Sequence, residues 1–139
     1  MSRESRVTAG ILLVLLPAVV YGGTSILSLL VGDPAYAQNE LRQDLWRAGH
    51  AHAGVLLVLS LVTLRYVDEA NLPSRLKGFA RHSIPASAVL LPAAFFLSVL
   101  SPEATEPNAM IYLAFVGAVL LAAGVLVLGI GLIRKQEVR

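Results

Sequence analysis

The chain has 139 residues, of which 56% are hydrophobic and 14% charged, and its mean hydropathy of +0.71 exceeds that of an ordinary soluble domain, so lipid is the expected solvent. The absence of cysteine excludes a disulfide framework, a thiolate metal site, an iron–sulfur cluster and a thioether-attached haem. Two methionines are too few for a copper relay, and a net charge of +2, carried in short segments beside apolar runs, argues against nucleic acid as a partner.

The first apolar run, residues 8–31, carries no charge, and at about 1.5 Å per residue it reaches roughly 36 Å, enough to cross a hydrocarbon core. Within it Tyr21, Thr24, Ser25 and Ser28 recur at helical spacing, so the four hydroxyls share one face and are expected to point inward. The alternative is that they bond back to their own helix carbonyls. Gly22 and Gly23 permit close approach or a local bend. Arg3 and Arg6 before the run, with Ala35, Tyr36 and Ala37 after it, imitate a secretory signal, but the run is longer than such signals carry and is expected to remain as a span.

The second run, residues 48–67, is expected to continue a helix that starts near Asn39, with Trp46 and Tyr66 at the two interfaces. At its mouth Gly49, His50, Ala51, His52, Ala53 and Gly54 place two imidazoles among residues too small to cover them. Two residues apart on a helix means about 200° apart in direction, so His50 and His52 do not readily chelate one ion but suit two partners on opposite sides. Arg65 is expected to snorkel toward headgroups.

The third run, residues 83–100, carries Pro85 and Pro92, which membrane helices tolerate when neighbours satisfy the freed backbone, with a kink near Pro92. His82 falls at the far end from His50 and His52 and reads as interfacial. The fourth run, residues 109–133, repeats Gly117, Gly124 and Gly131 on one face and Ala114, Ala118 and Ala122 on a neighbouring one. Small faces admit close helix neighbours, either inside one bundle or across a homo-oligomer or larger membrane complex.

Together these runs predict an all-α, four-helix transmembrane bundle forming one domain over residues 1–139. Arg3 and Arg6, the segment with Arg65, Arg75, Lys77 and Arg81, and the tail with Arg134, Lys135 and Arg139 set both termini in the cytoplasm, in a plasma membrane of bacterial type. Arg75, Lys77 and Arg81 also suit anionic headgroups. With that orientation the hydroxyl face, His50, His52 and Tyr112 lie at one depth and are expected to line a pocket in the outer leaflet.

The stretch Gly49 to Gly54 resembles the His-x-His elements of haem-copper oxidase subunit I and small proteins similar to it. That resemblance implies His50 and His52 as candidate axial ligands to haem or a transition metal. No further histidine stands at matching depth, which excludes a full oxidase and leaves a single haem with an open position or a ligand from another copy. The expected function is accordingly a redox or accessory subunit holding a cofactor at this pocket. The alternatives are a proton or small-solute channel, in which the imidazoles titrate along a wet path, and a non-catalytic scaffold subunit.

Overall fold

The computed structural model describes residues 1–134; Lys135 and Arg139 lie outside the described residues. Helix α1 spans Arg3–Gly32 and starts at Ser2, whose hydroxyl accepts from the Ser5 amide. A single-turn helix α2, Pro34–Ala37, is capped by Asp33, and α3, Glu40–Val67, by Asn39. Each cap satisfies amides that the first helical turn leaves without partners. Helix α4 covers Ser74–Ser98; a 3-10 turn at Ala109–Tyr112, capped by Asn108, leads into α5, Leu113–Ile133.

Four of these segments among the described residues are long and apolar enough to cross a membrane. They match the four expected spans, and α3 begins beside Asn39 as the sequence indicated. The main difference is α4, which starts at Ser74 instead of residue 83. Its first turns, with Arg75, Lys77 and Arg81, precede the apolar run and continue the same helix. Helix α4 runs unbroken through Pro85 and Pro92.

Helices α3 and α4 form the central pair, with α1 laid on the outer side of α3 and α5 on α4. Leu12 of α1 packs with Leu57 and Leu64 of α3. Val67, Ala70, Ala80, Ile84 and Leu128 form a second core where α3, α4 and α5 meet. The glycine face of α5 is consumed inside the chain: a Cβ at Gly117 would meet Leu91 Cγ at 3.0 Å, one at Gly124 would collide with Ser83 Oγ, and one at Gly131 with the Leu72 side chain. Of the two roles open to that face, packing within the bundle is the one observed. On the neighbouring alanine face, Ala118 and Ala122 are exposed.

Polar side chains close both ends of the bundle. At one end the Arg81 guanidinium, 7% exposed, pairs with Asp68 at 2.9 Å and with Glu4, and donates to Ser5 Oγ at 3.0 Å. Asp68 also accepts from the Ser2 amide at 2.6 Å, and Lys77 Nζ donates to the Asp68 carbonyl. Arg81 is therefore turned inward and not toward headgroups, because two carboxylates and two hydroxyls wait there to receive it. Burial alone would push the Asp68 carboxyl up, but hydrogen bonds from Ser2, Ser5 and Arg81 bring it down to about 2.

At the other end Arg42 is buried, stacked 4.5 Å from the Trp46 ring centroid and 5.7 Å from that of Tyr36. Its Nε donates to the Val99 carbonyl at 3.1 Å. Trp46 Nε1 donates to the Phe96 carbonyl and Asn108 Nδ2 to that of Leu97, so side chains from elsewhere satisfy the carbonyls that end α4. Tyr36, central to the signal-like triplet, is 1% exposed; burial raises its phenol pKa, against the opposing charges of Arg47 and Arg42.

Candidate functional site

Helix α3 presents its small residues and histidines to different neighbours around its circumference. Gly49 is buried against α4: a Cβ there would meet Phe96 Cε2 at 3.0 Å and Phe95 Cβ at 3.2 Å. One residue on, His50 turns toward α1 and lies against Gly22 and Gly23, where a Cβ at Gly23 would stand 2.7 Å from Nε2. The paired glycines are what allow the ring into the helix–helix contact.

His52 turns the other way. Its exposed ring packs on Phe95 with centroids 5.2 Å apart, and its Nδ1 lies 2.7 Å from the carbonyl of Ala48. A carbonyl only accepts, so Nδ1 is the donor of this bond and in the neutral ring Nε2 carries the lone pair. A carbonyl behind one nitrogen and a free lone pair on the other is the arrangement that ligating histidines use.

Two cavities flank His50. The larger, about 780 Å³, opens between α1 and α3 and is lined by Leu16, Val20, Thr24, His50, Ala51 and Val58 among others. The smaller, about 280 Å³, lies on the α4 side, where His50 shares the wall with Gly22, Ala53, Pro85 and Phe96. Apart from His50 and Thr24 the larger is lined by apolar residues, and apart from His50 so is the smaller.

The hydroxyl face of α1 behaves as the alternative reading described. Thr24 Oγ1 and Ser25 Oγ each donate to the Tyr21 carbonyl at 2.8 Å, and Ser28 Oγ to that of Thr24 at 2.9 Å. Thr24 lines the larger cavity with His50, whereas Tyr21 is 74% exposed. Tyr112, 67% exposed, stacks on Phe115 and does not line either cavity. The structure thus brings His50 together with the Gly22–Thr24 segment, and sets His52 and Tyr112 apart from it. His82 is exposed beside the Arg81 end.

Phe95 and Phe96 are the partners that sequence reasoning missed. Their signal was present: counting back from the end of α4 places both level with Gly49 and His52. Among the described residues no three His, Asp or Glu side chains converge as they would on a metal ion, so a bare ion finds no complete ligand set in one chain. A group that needs a single protein ligand makes a smaller demand. No family model, curated protein or solved structure matches this chain.

Proposed function

We propose that the protein is a small multi-pass subunit of the plasma membrane that holds a haem through His52, in a redox or accessory role. The observation that carries this reading is the Ala48 carbonyl behind His52 Nδ1, which fixes the tautomer and leaves Nε2 exposed as a ligand. Phe95 packs against the ring at a tilt of 40° and limits its rotation. The arrangement resembles the haem-binding use of a His-x-His helix, in which His52 would be this chain's ligand and any other would come from an exchangeable molecule or another chain. A haem held there supplies one-electron transfer or small-ligand binding. His50 serves this reading as the weaker candidate, because its Nε2 is turned onto Gly23.

Conduction is the less favoured function. A proton path needs hydroxyls free to exchange partners, and Thr24, Ser25 and Ser28 are committed to their own helix.

The test is the absorption spectrum and metal content of the full chain purified from membranes in mild detergent. A Soret band that His52→Ala removes and His50→Ala leaves in place is the expected result. A colourless, metal-free protein from haem-sufficient cells overturns it.

A further inference from the structure

On the side of α3 away from His52, the larger cavity has features that the haem reading does not use. His50 makes no hydrogen bond within the chain among the described residues, although it is half-buried beside α1. An imidazole N–H inside an apolar slot is costly without an acceptor. Arg47, one turn before Ala51 and on the same face of α3, is exposed and paired at 2.6 Å with exposed Asp44. That face therefore reads, from the end of the span inward, as a cation–anion pair, then an imidazole, then an apolar slot.

The spacing matches one kind of occupant. Arg47 stands about 4.5 Å above His50 along the helix, and the slot runs roughly 12 Å further to Val58, close to one leaflet's share of a hydrocarbon core about 30 Å thick. A cavity of about 780 Å³ is of the size that holds small amphiphiles.

We infer that this groove is a seat for a phospholipid with a zwitterionic phosphoethanolamine headgroup. Its phosphate pairs with Arg47, its ammonium with Asp44, an ester carbonyl accepts from His50, and one acyl chain fills the slot between α1 and α3. The Arg47–Asp44 pair selects a headgroup carrying both charges over a purely anionic one such as phosphatidylglycerol, whose neutral glycerol gives Asp44 no cation to replace Arg47 once the phosphate has taken that guanidinium. The lipid also completes the packing of α1, whose main helix neighbour among the described residues is α3. The seat lies on the opposite side of α3 from His52 and does not depend on a cofactor there.

The experiment is native mass spectrometry of the full chain released from nanodiscs of phosphatidylethanolamine and phosphatidylglycerol in equal amounts. One phosphatidylethanolamine retained per chain is expected, reduced about tenfold in affinity by Arg47→Gln, the loss of one charge-assisted contact. Ala51→Trp, which fills the slot, should abolish retention, with helicity by circular dichroism showing that the variant is folded. If Ala51→Trp does not fold, Arg47→Gln alone decides. No retained lipid, equal retention of the two lipids, or retention unchanged in Arg47→Gln or in a folded Ala51→Trp would overturn the inference.

Discussion

The imidazole of His50 rests on the backbone of Gly23, so close that a methyl group on that glycine would stand 2.7 Å from Nε2. This contact sets how closely α1 approaches α3 at that level. Gly23→Ala should therefore weaken the seating of α1 by about 1–3 kcal/mol, the usual cost of overpacking. Adding His50→Ala should restore most of the loss, because the clash has then been removed. Thermal unfolding of the two single variants and the double variant in detergent measures this as a cycle, and additive losses would show that the two residues are not coupled.

Arg81 carries the other attachment of α1. Arg81→Met should deprive the Asp68 carboxylate of its guanidinium partner and the Ser5 hydroxyl of a donor, at a cost of about 2–3 kcal/mol. Limited proteolysis after Arg3 or Arg6 should accelerate in this variant, since the start of α1 is then freed. Unchanged cleavage would mean that the Leu12, Leu57 and Leu64 contact holds α1 by itself.

Acid should act through the same cluster. Asp68 is lowered from 3.8 to about 2, so the unfolded chain binds the proton more readily than the folded one, and stability rises with pH across that interval. The contribution is complete above roughly pH 4 and is lost as pH falls toward 2. The melting temperature of the wild-type protein should drop over this window, and Asp68→Asn should start lower and lose that part of the pH dependence. A parallel pH profile in Asp68→Asn would assign the acid sensitivity to other carboxylates.

The Arg42 end depends on shape as well as charge. Arg42→Lys keeps the charge but loses the planar stack on Trp46 and the directed donor to the Val99 carbonyl, so it should recover little of the stability removed by Arg42→Ala. Both should lie about 1.5–3 kcal/mol below wild type. Quenching of Trp46 fluorescence by acrylamide should rise in both variants as the indole is uncovered.

At the α4–α5 contact, Gly124→Ala should cost about 1–3 kcal/mol, because its new methyl group meets Ser83 Oγ. Ser83→Gly should relieve part of that cost. Loss of an oligomer at unchanged monomer stability would instead place Gly124 at a contact between copies.

The spans were legible in the sequence because a charge-free apolar run admits few structures in lipid, and helix is the simplest of them. The role of α5's glycines was half legible: spacing told that the face would be packed, but not that Leu91, Ser83 and Leu72 would pack it. For the site, the divergence of His50 and His52 followed from 100° per residue and is what the structure contains. What could not be read was rotation. Nothing in the order of residues said whether Tyr21 or Gly23 would face α3, and a hydroxyl stripe and a glycine pair on adjacent sides of one helix are equal claimants until packing chooses. The glycines prevailed because a ring as large as imidazole fits only where no side chain stands, while the hydroxyls were content with their own carbonyls. Arg81 was misread for a related reason. Charge near a span end signals topology on average, but Asp68 and Glu4 gave this guanidinium a better partner than any headgroup.

The knot of Ser2, Asp68 and Arg81 also orders events during synthesis. Ser2 and the guanidinium that helps to fasten it stand 79 positions apart, so Arg81 is made well after the residue it holds. Until α4 has been made, α1 has only its apolar contact with α3, and the latch at this end closes last.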